Sequence, residues 1–96
     1  MKWLEIIELR SVKSEQVFSK MNFRNLAAEL KQESELEDVR VYRNAALDTD
    51  LSIHLLHSSE KVETDGSPLG HRLESALKEY GLVNHSVWVA GHAKRN

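Results

Sequence analysis

Apolar and polar positions alternate in four short stretches of this chain, which predicts four β-strands. The predicted strands are Trp3 to Arg10, Val39 to Asn44, Leu51 to Ser58 and His85 to Ala90. Two of these strands place large apolar residues side by side, Ile6-Ile7 and Leu55-Leu56. Such pairs are typical of central strands that meet apolar material on both faces.

Two stretches with helical spacing separate the strands. The first extends from Ser14, an N-cap, to about Gln32, and the charged run Glu33 to Asp38 follows it as a connector. The second begins at Ser67-Pro68, and we expect Gly81 to end it in the left-handed conformation. Gly70 costs this helix about 1 kcal/mol relative to Ala, and close packing against it would explain its presence.

The order of the elements is strand, helix, strand, strand, helix, strand. With right-handed crossovers this order predicts an α+β, ferredoxin-like βαββαβ fold, a four-stranded antiparallel sheet with two helices on one face. The spatial order of the strands is then fourth, first, third, second, which places both strands with adjacent apolar pairs at the centre. The length of 96 residues predicts a single domain, residues 1–96.

The two faces of this sheet differ in character. The face toward the helices is predicted to carry Leu4, Ile6, Val39, Val41, Leu51, Ile53, Leu55, Val87 and Val89. The opposite face is predicted to carry Trp3, Glu5, Ile7, Leu9, Arg40, Tyr42, Asn44, Ser52, His54, Leu56, Ser86, Trp88 and Ala90. Burial of each large apolar side chain is worth roughly 1.5–3 kcal/mol, so we expect a second copy of the chain to cover this face in a sheet-to-sheet homodimer.

Composition narrows the choice of partners and compartment. A net charge of -2 and a pI near 6.2 disfavour nucleic-acid binding. The chain has no cysteine, which excludes disulfides and thiol catalysis and fits a reducing compartment. No apolar stretch approaches the roughly 20 residues that span a bilayer, and Glu5 and Glu8 interrupt any signal-peptide core. We therefore expect a cytoplasmic protein with no membrane partner.

The element order, the strand Leu51-Ser52-Ile53-His54-Leu55-Leu56 and the segment Gly81 to Val89 together resemble the dimeric α/β-barrel superfamily. Its best-known branch is the antibiotic biosynthesis monooxygenase family. The resemblance implies paired sheets that form a barrel, with a small-molecule pocket between sheet and helices. Some members oxidise aromatic substrates without a cofactor, some degrade haem, and many have no known activity. This chain departs from the enzyme branch after the third strand, where the polar run Ser58 to Ser67 replaces an aromatic-rich segment.

Two groups of residues are candidates for chemistry on the face away from the helices. His54 with Glu5 on the neighbouring strand would suit general-base catalysis, or would form a cross-strand polar pair inside an interface. A second group could orient an aromatic or carboxylate-bearing ligand by hydrogen bonds and stacking, or form the polar rim of an interface. Its members are Trp3, Arg40, Tyr42, Asn44, His54 and Trp88.

The five histidines do not indicate a metal site. His54 and His57 point to opposite faces of a strand, His71 stands alone on its helix, and no pair has the i, i+4 spacing of a helical zinc site. We expect neither a metal nor a cofactor. Three functions remain open: a dimer that binds a small, partly aromatic molecule, a cofactor-independent monooxygenase, or a homo-oligomeric module without a ligand.

Overall fold

A computed structural model describes residues 2–11, 28, 30–32, 36–47 and 49–91. The strands are β1 (Lys2–Ser11), β2 (Leu36–Arg43), β3 (Asp50–Ser58) and β4 (Gly81–Val89). The described residues 28 and 30–32 are helical and belong to α1, which lies between β1 and β2. The second helix, α2, spans Pro68–Leu77 between β3 and β4. The predicted cap at Ser14 lies outside the described residues.

The four strands form one antiparallel sheet in the order β2-β3-β1-β4. This is the predicted ferredoxin-like order, and the two strands with adjacent apolar pairs are central. On the helix side Ile7 lies opposite Ile53, and on the other side Leu4 lies opposite Leu56. Each central strand therefore needs apolar residues in both phases of its alternation.

β1 and β3 begin one residue earlier than predicted, and β2 and β4 begin several residues earlier. β2 begins at Leu36, within the predicted connector, because the Leu36 side chain is buried in the core; a register shift follows it before Asp38. β4 begins at Gly81, which pairs with Ser11 and does not adopt the left-handed conformation expected of a helix stop. A Cβ at Gly81 would collide with the carbonyl oxygen of Arg10, so the glycine permits close approach of two strands.

The core lies between the sheet and the helices. It contains Ile7, Leu9, Leu30, Leu36, Val39, Leu51, Ile53, Leu55, Leu69 and Leu77. For β2, β3 and β4 the predicted faces agree with the strand register. We call the side of the sheet away from α2 the open face; it carries Leu4, Ile6, Glu8, Arg40, Tyr42, Ser52, His54, Leu56, Ser86 and Trp88.

For β1 the face prediction is wrong. Trp3, Glu5, Ile7 and Leu9 point toward the helices and are buried, whereas Leu4 and Ile6 lie half-buried on the open face. The alternation of β1 is apolar in both phases, so it cannot decide which phase meets the helices. Pairing with β3 decides it, because that register sets residues 3, 5, 7 and 9 on the same face as residues 51, 53, 55 and 57.

No helix within the described ranges is long and apolar enough to cross a membrane.

Candidate functional site

Glu5 is a fully buried carboxylate on the central strand β1, beneath the start of α2. A buried charge is stable only when donors surround it. One oxygen, Oε1, accepts from His57 Nε2 at 2.8 Å and from Ser67 Oγ at 2.6 Å. The other, Oε2, accepts from the Ser67 backbone N–H at 3.0 Å and from His85 Nε2 at 2.5 Å. We call these four residues the Glu5 cluster.

The sheet register brings the two histidines to Glu5 from opposite sides. His57 lies on β3 opposite Trp3, and His85 lies on β4 opposite Ile7. The direct partners of Glu5 are Leu55 on β3 and Val87 on β4. Each histidine is two residues away from the partner on its own strand and therefore lies on the same face as Glu5. The carboxylate therefore has one imidazole on each side along the sheet.

The start of α2 completes the cluster. Ser67 is the N-cap, and its hydroxyl accepts from the Gly70 N–H at 3.0 Å while it donates to Glu5. A Cβ at Gly70 would overlap the Glu5 carboxylate. The expectation of close packing at Gly70 is thus confirmed, and the group that packs there is an acid. The positive end of the helix also favours this negative charge.

Hydrogen bonding dominates the electrostatics of the cluster. Burial alone would raise the pKa of Glu5, but hydrogen bonds from His57, Ser67 and His85 outweigh it and lower that pKa to about 2. Burial would lower the pKa of His85, but its bonds to Glu74 and Glu5 outweigh it and raise that pKa. Glu5 is therefore ionised at neutral pH.

A cavity of about 340 Å³ adjoins the cluster on the His57 side. It is lined by Trp3, Leu36, His57, Ser58, Ser59, Glu63, Ser67, Pro68, Leu69 and Arg72. The His57 ring stacks on the Trp3 indole with centroids 3.9 Å apart, and Trp3 Nε1 donates to Ser59 Oγ. Glu5 holds Nε2 of His57, and no hydrogen bond within the described part of the chain occupies Nδ1. The cavity thus has an oriented imidazole against an aromatic wall.

The predicted pair of His54 and Glu5 does not form. His54 lies opposite Ile6 on the open face, where its Nε2 is 3.0 Å from Ser52 Oγ and its ring is 4.8 Å from that of Tyr42. Burial lowers the pKa of His54. The prediction failed because it assigned β1 the wrong phase, which moved Glu5 to the face of His54.

The predicted ligand-binding group is divided among several places. Trp3 is buried on the helix side, and Trp88 is 57% exposed on the open face. Arg40 lines a hollow of about 180 Å³ that also contains His54. Tyr42 and Asn44 border a separate basin of about 480 Å³ at the end of the sheet.

The larger basin is the weaker candidate for a binding site. Its lining carries ionisable groups of both signs, among them Glu8, Arg10 and Asp50. The Asn44 side chain there accepts from the backbone N–H groups of Ala46 and Leu47, which stabilises a turn. The lining of the 340 Å³ cavity includes His57 and Ser67, which hydrogen-bond to the buried Glu5 carboxylate, whereas no residue that lines the basin belongs to the Glu5 cluster.

A second cluster lies on the other side of Glu5. His71, Glu74 and His85 bring one nitrogen or oxygen each within 4.8 Å of one another. Sequence reasoning missed this set because His71 and His85 lie on different elements and their separation matches no familiar metal motif. The i, i+3 spacing of His71 and Glu74 on α2 was the available signal, since it places both on one helix face.

Comparison of the chain with protein-family models, with curated proteins and with solved structures gives no match.

Proposed function

We propose that this protein is a ferredoxin-like homodimer that binds a small, partly aromatic molecule in the 340 Å³ cavity between the sheet and α2. The observation that carries the proposal is the His57 imidazole, which lines this cavity while the buried Glu5 carboxylate holds its Nε2 atom. A buried, fully hydrogen-bonded acid positioned behind a ring in a cavity wall is typical of binding and catalytic sites.

The cavity wall suits a flat ligand. The stacked rings of Trp3 and His57 provide an aromatic surface, and Leu36 and Leu69 add apolar contact. Its volume lies within the roughly 300–1,000 Å³ of small-molecule sites. Polar groups at the wall, such as Glu63, would fix the orientation of the ligand. The position of the cavity is also the one that the resemblance to the dimeric α/β-barrel superfamily implies.

An enzyme of the cofactor-independent monooxygenase kind is the second candidate. The carboxylate–imidazole pair favours it, because Glu5 fixes the ring orientation of His57 and would stabilise the imidazolium that forms when Nδ1 takes a proton. An acidic aromatic substrate such as a phenol would be the proton donor. His57, rather than His54, is the base in this proposal.

The open face supports the homodimer. Leu4, Ile6 and Leu56 lie half-buried there beside Trp88, which is 57% exposed, and Tyr42, which is 45% exposed. A two-fold axis through the sheet would place this apolar strip against its own copy and remove these aromatic rings from water. Size-exclusion chromatography with light scattering is expected to give a dimer for the wild type and a monomer for Trp88→Glu. A monomeric wild type would contradict the proposed dimer but not the proposed ligand cavity. From the composition we also propose the cytoplasm as the compartment.

A matched pair of substitutions tests the ligand site. His57 and His54 lie on the same strand and face opposite sides of the sheet, so His57→Gln and His54→Gln make the same change at the two rival sites. The assay is ligand-observed NMR with a panel of phenols and aromatic carboxylates, in the presence of a chelator. We expect the wild type and His54→Gln to bind the same members of the panel and His57→Gln to bind them at least tenfold more weakly.

Other outcomes separate the alternatives. Binding lost only in His54→Gln would place the ligand on the open face and refute the cavity. If the wild type binds no member of the panel, the homo-oligomeric module without a ligand becomes the better account. Oxygen uptake by the wild type with a bound phenol, abolished in His57→Gln, would establish the enzyme, and its absence for every bound phenol would exclude it.

A further inference from the structure

We propose that His71, Glu74 and His85 form a binding site for a divalent transition-metal ion of the zinc class. The site is separate from the proposed ligand cavity, since it lies on the Oε2 side of Glu5, whereas His57 and the cavity lie on the Oε1 side. Two imidazoles and one carboxylate are a ligand set that zinc accepts when a further position stays open to solvent.

Glu74 lies at distances from the two histidines that are close to those a metal requires. Glu74 Oε1 is 3.0 Å from His85 Nδ1 and 3.6 Å from His71 Nδ1. Ligands of a tetrahedral zinc ion at its usual bond lengths lie about 3.3 Å apart, a value between these two distances. All three donor atoms lie within 4.8 Å of one another, and metal binding would draw in the ring of His71, the most exposed of the three.

The second nitrogen of His85 gives the strongest support. A metal-binding histidine almost always donates its other ring N–H to a carboxylate or carbonyl, which sets the tautomer and the ring orientation. Here Nε2 of His85 lies 2.5 Å from the Oε2 atom of buried Glu5, and Nδ1 points toward Glu74. Ser67 and His57 in turn hold Glu5, so the ring that would bind the metal is fixed before any metal arrives.

The backbone holds the three ligands on two rigid elements. His71 and Glu74 lie one turn apart on α2, and His85 lies on β4, which packs against that helix. The His71 side chain is 53% exposed and that of His85 only 7%, so the site has a buried side and a side open to water. Lys78 interacts with the other oxygen of Glu74, Oε2, at 3.6 Å and leaves Oε1 directed at the two rings.

A titration of the metal alone tests the site. The 96-residue chain is stripped with a chelator, the chelator is removed, and Zn²⁺ is titrated by calorimetry at neutral pH with no aromatic ligand present. We expect one ion per chain, and we expect Co²⁺ at the same site to show the visible absorption of nitrogen and oxygen coordination. His71→Ala and Glu74→Gln are each expected to weaken Zn²⁺ binding at least tenfold.

The control is His54→Ala, which removes a histidine from the opposite face of the sheet and is expected to leave Zn²⁺ affinity unchanged. His71 is exposed, and alanine favours helix, so circular dichroism should show His71→Ala to be folded. The proposal is overturned if the wild type does not bind Zn²⁺, or if His71→Ala and Glu74→Gln bind it as tightly as the wild type. Either result leaves the 340 Å³ cavity and its aromatic ligands untouched.

Discussion

Replacement of Glu5 by glutamine is expected to destabilise the fold severely although it changes no volume. The carboxylate accepts four hydrogen bonds, two at each oxygen. Glutamine has one acceptor oxygen, so its amide nitrogen must face two of these donors. The Ser67 backbone N–H cannot reverse its role, whereas the His57 ring can change tautomer and the Ser67 hydroxyl can rotate. We therefore expect the glutamine oxygen at the Oε2 position.

The magnitude follows from the loss of charge. A hydrogen bond to a charged group contributes about 1.5–3 kcal/mol, against about 0.5–1.5 for a neutral one. Four bonds that each lose about 1 kcal/mol predict a decrease of about 4 kcal/mol in the free energy of unfolding. The cost of breaking a buried ion pair by removal of one partner, about 3–5 kcal/mol, agrees with this value. A domain of this size has roughly 5–15 kcal/mol in total.

Equilibrium urea unfolding followed by far-ultraviolet circular dichroism measures this change. The chelator is present and the protein concentration is constant, so that neither metal nor dimerisation alters the comparison. The control is Glu8→Gln, the same substitution on the same strand, where the side chain lies on the open face and only approaches Asn84 at 3.4 Å. Glu8→Gln is expected to stay within about 0.5 kcal/mol of the wild type. If Glu5→Gln also stays within that range, the Glu5 cluster does not hold the fold together.

Three further predictions concern the same cluster. Gly70→Ala is expected to lower the thermal unfolding temperature although alanine favours helix by about 1 kcal/mol, because its Cβ would overlap the Glu5 carboxylate. The control is Gly91→Ala, which should have no effect because nothing lies within 4 Å of the added Cβ. A higher unfolding temperature for Gly70→Ala than for the wild type would contradict the close packing at Gly70. Ser67→Ala removes both an N-cap and a donor to a buried charge, so urea unfolding should show a loss of about 2–4 kcal/mol. The pKa of Glu5 is depressed from 4.5 to about 2, so the ionised carboxylate stabilises the fold above pH 4.5 and this stabilisation is lost as the pH falls toward 2. The urea midpoint of the wild type should therefore fall with acid more steeply than that of Glu5→Gln. An equal response of the two midpoints to acid would refute this prediction.

Local sequence patterns were sufficient for the architecture. The order of the elements predicted the strand order, and the adjacent pairs Ile6-Ile7 and Leu55-Leu56 agreed independently with the two strands placed at the centre. The start of α2 at Ser67-Pro68 was also readable, because capping depends on neighbours in the chain. These features depend on contacts within a few residues or on rules of topology.

The candidate site was not predictable in the same way. Glu5 meets His57, Ser67 and His85 across 52, 62 and 80 residues of sequence, and no local pattern encodes such contacts. Because β1 is apolar in both phases of its alternation, its sequence does not show which phase meets the helices, and the prediction placed Glu5 on the wrong face. With the phase corrected, the two histidines follow from the register alone.

The two tryptophans stand on opposite sides of the sheet, and each is a spectroscopic probe of a different event. Trp3 is 1% exposed and stacked on an imidazole, so its emission should be blue-shifted and should respond when the cavity is occupied. Trp88 is 57% exposed, so its emission should be red-shifted in an isolated subunit and shift to the blue when another subunit covers it. Single Trp→Phe variants would thus let one fluorimeter follow ligand binding and self-association separately, without an added dye.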